Sequence, residues 1–324
     1  MDICIALFGA GYWGKNHLRD LKRLGALNTV VDANDRVIEE RKKEHPDVIY
    51  TKDERRVLEN PEIRACVVAS PASLHFSLAK KLLLAGKDVL VEKPLALLVD
   101  EGQELVDIAE KEKRVLMVGH ILQYHPAVER LKQIVMEGEL GTIRYLYSNR
   151  LNLGKLRVEE NVLWSFAPHD ISLILMLMQE KRVQGVHAFG GSYVTDGIYD
   201  TTLTGITFVE DVKGHIYVSW LHPFKEQKLV VIGSEKMAVF DDLSPEKLYL
   251  YPYRVNLENG NTPVAERAEH HPVSFEMREP LKAELSHFIQ CVRERKTLRT
   301  DGYEGLRVLE VIEMAERSLE KKAV

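Results

Sequence analysis

The sequence predicts an α/β fold: a doubly wound parallel sheet comes first, and a C-terminal α/β domain with an open, mostly antiparallel sheet follows. Three observations carry this. Apolar runs at 3–8, 64–69, 87–91 and 114–118 alternate with helical patterns, and continuous apolar strands between helices belong to parallel sheets covered on both faces. The first run leads straight into Gly9-Ala10-Gly11-Tyr12-Trp13-Gly14, and the second strand closes on Asp32. Beyond about residue 120 the alternation stops, and strand patterns gather at 182–194, 201–209, 215–220, 229–232 and 237–240, as in an antiparallel sheet. The expected division is 1–121 and 122–324, with the last helix returning toward the first domain.

In order, the first strand and glycine turn lead into a helix from about residue 16, then a strand ending Thr29-Val30-Val31-Asp32. Residues 34–45 are charged and helical. The strand at 64–69 is cut by Ser70-Pro71, and a helix at 73–86 has leucines on its inner positions and Gly86 as a fitting C-cap. A strand at 87–91 ends in Glu92-Lys93-Pro94, a helix covers 98–113, and a strand at 114–118 ends in Gly119-His120. Residues 126–137 read as a helix stopped by Gly138, 142–149 alternate like a strand, and a helix is expected at 169–179 with Pro168 just ahead of it. Helices at 279–295 and 303–322 close the chain.

Strand, Gly-x-Gly-x-x-Gly turn, helix and second strand with a terminal acid together form the fingerprint of a Rossmann dinucleotide site. Gly9 permits the tight turn, Gly11 lets the backbone approach a pyrophosphate, and Gly14 lets the helix pack closely. The helix N-terminus offers amide donors to the phosphates. Asp32 stands where a carboxylate accepts from the ribose hydroxyls and repels a 2′-phosphate, which favours NAD over NADP; Arg36, four residues on, works against that preference.

The 324 residues suffice for two domains, with 45% hydrophobic and 29% charged residues and a net charge of −5. The charges are mixed along the chain, so neither nucleic acid nor an anionic membrane is an expected partner. Cys4, Cys66 and Cys291 are isolated, two in strands and one in a helix, with neither disulfide nor zinc spacing. The apolar start reads as strand one rather than a signal peptide, and the run at 171–178 is too short to span a bilayer. A reducing, cytoplasmic setting is expected.

In a doubly wound sheet, ligands bind outside the C-terminal strand ends. The glycine turn, Ser70-Pro71, Glu92-Lys93-Pro94 and Gly119-His120 therefore fall on one edge, with His75 on the first turn of the following helix. Lys93 precedes a proline at a strand end, a stiff corner from which an amine can meet a substrate hydroxyl and accept its proton; the competing reading is a surface lysine paired with Glu92. His169, in Trp164-Ser165-Phe166-Ala167-Pro168-His169-Asp170, is a second acid/base candidate, with Asp170 either orienting it or favouring a helix N-terminus. His125, His270 and His271 lack a third ligand at metal spacing, so no metal is expected.

On these residues the chain resembles the Gfo/Idh/MocA family of NAD(P)-dependent oxidoreductases over nearly its whole length. The resemblance rests on the glycine turn, Ala69-Ser70-Pro71 with His75, Glu92-Lys93-Pro94, Gly119-His120, Pro168-His169-Asp170-Ile171, and Thr300-Asp301-Gly302 with Gly305-Leu306. It implies cofactor contacts from Gly9, Gly11, Tyr12, Trp13, Gly14, Asp32, Ser70, Pro71, His75, Glu92 and Lys93, and catalytic roles for Lys93 and His169. Many members carry an aspartate four residues before that histidine; here Ser165 stands there, leaving the family's proton relay incomplete and a hydroxyl for the substrate. The open sheet commonly joins subunits in the family, which implies a homodimer or homotetramer. Gly11-Tyr12-Trp13-Gly14-Lys15-Asn16, the segment 162–170 and Ser219-Trp220-Leu221-His222-Pro223 are similar to dehydrogenases of nucleotide-activated amino sugars, which oxidise the 3-hydroxyl of UDP-N-acetylglucosamine ahead of an aminotransferase in diamino-sugar synthesis for lipid A or surface glycans. His120, Asn149, Lys155, Arg157 and His222 join Ser165 as substrate contacts on this reading. Its competitors are another sugar nucleotide, uronate or polyol as substrate, an NADPH-linked reductase, and a non-catalytic NAD sensor.

Overall fold

The computed structural model describes residues 3–154, 156–179, 181–258 and 262–320. Its first part runs β1 (Cys4–Phe8), α1 (Gly14–Arg23), β2 (Leu27–Val31), α2 (Asp35–Glu44), β3 (Ile49–Thr51), α3 (Arg55–Leu58), β4 (Ile63–Val68), α4 (His75–Leu84), β5 (Asp88–Glu92), α5 (Val99–Lys111) and β6 (Leu116–Gly119). The strands form one parallel sheet in the order β3-β2-β1-β4-β5-β6, the order of the dinucleotide-binding fold. β5 is buried at every position, as a strand covered on both faces must be. Because every strand points the same way, Gly9, Asp32, Ser70, Lys93 and His120 follow strand ends on a single sheet edge.

The second part runs α6 (Pro126–Met136), β7 (Ile143–Leu151), α7 (Val162–Met178), β8 (Val183–Gly191), β9 (Thr201–Phe208), β10 (Lys213–Ser219), β11 (Glu226–Gly233), β12 (Met237–Asp241), β13 (Leu248–Tyr251), β14 (Arg254–Glu258), β15 (Thr262–Glu266) and β16 (His271–Pro272). Its main sheet has the order β16-β13-β12-β11-β7-β10-β9-β8, antiparallel except where β10 runs parallel to β7. β9 alternates half-buried and buried along its length, so one face takes α7 while the other stays open. On the open face Tyr147 and His215 are register partners and stack at 5.0 Å and 6°. The edge strand β8 is not left bare: the Ser318 hydroxyl accepts from the Ala188 N–H at 2.9 Å, which blunts an otherwise free edge.

The chain ends with α8 (Pro280–Glu294) and α9 (Gly302–Glu320). The contacts group Met1–Tyr124 with Arg278–Glu310, and His125–Met277 with Val311–Val324. The dividing point thus follows Tyr124, and α8, assigned by the sequence to the second domain, counts with the parallel sheet. Thr300 pairs with β6 through Val118, donating from its hydroxyl to the Val118 carbonyl at 2.8 Å and accepting the Val118 N–H on its own carbonyl at 2.8 Å. Gly305 lies against Val118 and Leu95 so closely that a Cβ would stand 2.5 Å from the Val118 side chain.

One helix differs from its expected extent. α7 begins at Val162, capped by the Asn161 side chain accepting from Trp164 N–H at 3.2 Å, and Pro168 lies inside it. A proline interior to a helix removes a backbone bond, but Leu163, Ala167, Ile171 and Ile174 are fully buried along this helix, and packing of that stripe outweighs the lost bond. His169 therefore sits in mid-helix, not at an N-terminus. No described helix is long and apolar enough to cross a membrane.

Candidate cofactor edge and catalytic residues

The three glycines of the first turn have separate physical reasons. Gly9 has φ +91°, and a Cβ on it would meet the Ala69 carbonyl oxygen at 2.7 Å. A Cβ on Gly14 would stand 2.0 Å from the Gly9 carbonyl oxygen. Both are demanded by the protein's own packing. Gly11 is not: nothing lies within 4 Å of the position its Cβ would take. That open side, above the start of α1, is what a pyrophosphate approached by backbone requires. Ser70 offers a buried hydroxyl on the same edge that is not hydrogen-bonded to protein. The residues fit a dinucleotide.

Asp32 is braced from two sides. Its Oδ2 accepts from Ala10 N–H at 2.8 Å, and its Oδ1 accepts from Asn34 N–H at 2.9 Å. The acid at the end of β2 is thereby tied to the phosphate turn. Arg36 pairs along α2 with Glu40 at 3.0 Å.

At the end of β5, Glu92 organises the corner that carries Lys93. Its Oε1 accepts from the Trp13 indole N–H at 2.5 Å and from His17 Nε2 at 2.7 Å; its Oε2 accepts from the Lys93 backbone N–H at 3.2 Å. Burial works to raise the Glu92 carboxyl, but the His17 hydrogen bond and charge, then Trp13 and Lys93, hold it below its ordinary range. Lys93 is half-buried, Trp13 39% exposed and Tyr12 88% exposed, so the turn presents its aromatic pair outward while Glu92 grips one of them from beneath. His75 opens α4 and bridges the neighbouring strand ends, with Nδ1 2.7 Å from the Pro94 carbonyl and Nε2 2.9 Å from the Ser70 carbonyl. His120 is 2% exposed and spends Nδ1 on Glu304 at 2.5 Å, while Gln123 donates to the other Glu304 oxygen at 2.8 Å.

In the second unit, Ser165 is buried and His169 half-buried on α7. Asp170 lies inside α7 and caps no terminus. It accepts from Arg150 Nε at 2.7 Å and Nη2 at 3.2 Å, and from the Ser148 hydroxyl at 2.5 Å, so it bolts α7 to β7. Asp170 is 2% exposed, and removing one member of a buried pair strands the other. Asp170→Ala should lower unfolding free energy by about 3 kcal/mol; a denaturant midpoint equal to that of the wild type would show the pair to be dispensable. Asn149 donates to Glu226 at 2.6 Å, Arg157 pairs with Glu160, and His222 donates to the Phe224 carbonyl at 2.9 Å. Lys155 lies outside the described residues.

His17, the Trp13–Glu92 bond and the Arg150–Ser148–Asp170 bolt escape a reading of the sequence. Only His17 left a local sign, standing three residues after Gly14 on the face of α1 that also buries Gly14, Leu18 and Leu21.

A parallel sheet of this order, a turn left open at Gly11, an acid at the end of β2 and a lysine corner at the end of β5 define an NAD-linked oxidoreductase. Residues 3–120 match the model of the oxidoreductase family with an NAD-binding Rossmann fold, and 128–239 match the GFO/IDH/MocA C-terminal domain; the chain belongs to the GFO/IDH/MocA family. It is 28% identical over 249 residues to UDP-N-acetylglucosamine 3-dehydrogenase of Acidithiobacillus ferrooxidans, covering 76% of each chain. A solved structure of that enzyme superposes with a TM-score of 0.86, at 25% identity, over 99% of this chain and 98% of the other. Myo-inositol 2-dehydrogenase of Thermotoga maritima is 25% identical over 98% of this chain and 96% of its own.

Proposed function

We propose that the protein is an NAD-dependent dehydrogenase that oxidises the 3-hydroxyl of a UDP-amino sugar, UDP-N-acetylglucosamine, to the 3-keto sugar. The observation that carries the reading is the Lys93 corner: an amine at the same strand-end edge as the open Gly11 turn, on a backbone pinned by Glu92. The likeness to the Acidithiobacillus enzyme supplies the sugar. NAD bound at this edge would accept the hydride from the ring carbon. Lys93 takes the hydroxyl proton, with His169 the second candidate, and the Ser165 hydroxyl takes the place of the family's relay acid in holding the sugar. A positioned base of this kind contributes about 10²–10⁴-fold. The 3-keto product suits an aminotransferase that delivers an amine to the same carbon, ahead of diamino-sugar synthesis.

The test is a panel of UDP-N-acetylglucosamine, its uronate, other UDP-sugars and myo-inositol with NAD⁺, read as NADH absorbance in the presence of an aminotransferase trap. Turnover confined to UDP-N-acetylglucosamine is the expected result. Turnover on myo-inositol alone would move the assignment to a polyol dehydrogenase, and NADH binding without turnover on any member would mark a sensor.

Cofactor choice follows from Asp32. The wild type should bind NADH at least about tenfold more tightly than NADPH, one opposed charge at this position being of that order. Asp32→Asn keeps an acceptor for one of the two braced N–H groups and removes the charge, so it should erase most of that ratio in a fluorescence titration. An unchanged ratio would transfer the discrimination to another residue.

A second copy of the chain is the proposed occupant of the open sheet face. Its Tyr145–His215–Tyr147 cluster is half-buried and aromatic. Sedimentation should therefore give a dimer or tetramer.

A further inference from the structure

Beneath the Lys93 corner the first unit buries ionisable groups that hydride transfer leaves unused. Glu92 is committed to Trp13, His17 and the Lys93 backbone. Glu284, on α8, is 0% exposed, and neither of its carboxyl oxygens is hydrogen-bonded to protein; Nδ1 of the equally buried His17 is not either. Buried polar atoms left in this state are costly and uncommon, and they mark places where protonation matters. Glu284 feels the charge of Glu92, and Tyr124 feels that of Glu284. The groups around it are thus Glu92 from β5, with His17 of α1 bonded to it, and Tyr124 from the turn after β6, with the Arg299 guanidinium 4.7 Å above the Tyr124 ring. His287 and Cys291 lie on its own helix.

We propose that Glu284 is a positioning residue for the cofactor edge: as a neutral acid it leaves Glu92 the single carboxylate of the pair, free to hold the Trp13 indole and the Lys93 backbone, and loss of its proton sets two carboxylates against each other and loosens both. Burial first, then the Glu92 charge, pushes the Glu284 carboxyl well above its ordinary 4.5, as for any two carboxylates in one dry site. The folded value is the raised one, so the stability it contributes is complete below about 4.5 and is lost as pH climbs through the raised value. The inference rests on the cofactor edge alone and not on the sugar.

The experiment follows Trp13 emission in the free protein, isolated by subtracting a Trp13→Phe variant, and NADH affinity, both between about pH 5 and about pH 10. In the wild type the emission should change in one titration, and NADH affinity should fall about tenfold along it, as expected for one charge-assisted hydrogen bond. Glu284→Gln mimics the neutral acid. It should hold the low-pH emission and affinity throughout, and melt above the wild type at the alkaline end. Glu92→Gln removes the neighbouring charge, so the Glu284 limb, read as thermal stability against pH, should move to lower pH. A wild type flat across the range, a Glu284→Gln variant that titrates as the wild type does, or a stability limb unmoved by Glu92→Gln would each overturn the proposal. The emission limb needs no nucleotide, so it fails separately from the cofactor assignment.

Discussion

Lys93→Ala should lower turnover by about 10²–10⁴-fold, the range of a positioned base, while NADH affinity stays within about threefold of the wild type. The asymmetry comes from which atoms of the corner do what. The brace is made by the backbone: the Lys93 N–H donates to Glu92, and the Pro94 carbonyl takes His75. Alanine keeps both, so the edge keeps its shape and loses only the amine. Lys93→Arg should rescue little, because a guanidinium does not give up its proton at any pH the fold survives. Stopped-flow NADH formation with UDP-N-acetylglucosamine separates the outcomes. A loss confined to kcat fits proton transfer at Lys93. A loss confined to KM would make Lys93 a sugar-binding residue, and full activity would move the base to His169.

What was legible in the sequence follows from how local its cause is. Strand β1, the glycine turn, α1, β2 and Asp32 lie within thirty-two residues, and Gly9 and Gly14 answer to a neighbour within that stretch or just past the end of β4. The same locality revealed β5 with its Glu-Lys-Pro end and the mostly antiparallel second sheet. The extent of α7 was hidden because Pro168 reads as the residue just ahead of a helix, whereas the decisive fact is a buried stripe that continues across it. Strands β13 to β16 went unread for another reason: they are two to five residues long and carry too few positions to show a period. The partners of Glu92 were out of reach altogether. Trp13 and His17 lie 79 and 75 residues from it, and only the fold brings α1, β5 and α8 to one place. Glu284 looks in sequence like any helical surface glutamate; its burial is a property of α8 counting with the parallel sheet, which the sequence had assigned elsewhere.

The last expectation separates a glycine that serves the fold from one that serves the ligand. Gly14→Ala puts a Cβ 2.0 Å from the Gly9 carbonyl oxygen, a backbone atom that cannot swing aside as a side chain would, so α1 must move off the turn. Overpacking of this kind costs about 1–3 kcal/mol where side chains can yield, and here the upper end is expected, together with a loss of NADH affinity of about 100-fold or more. Gly11→Ala meets nothing within 4 Å and needs no left-handed φ. It should fold with unchanged or slightly raised stability, by up to about 1 kcal/mol from the reduced freedom of the unfolded chain. Its NADH affinity should nonetheless fall about 10–100-fold, because the new methyl stands where the backbone must approach a pyrophosphate. Thermal melts without nucleotide and titrations with NADH give the two readouts independently. If Gly11→Ala binds NADH as the wild type does, the open side of the turn is not where the phosphates lie, and the cofactor edge would have to be redrawn around Ser70 and the start of α4.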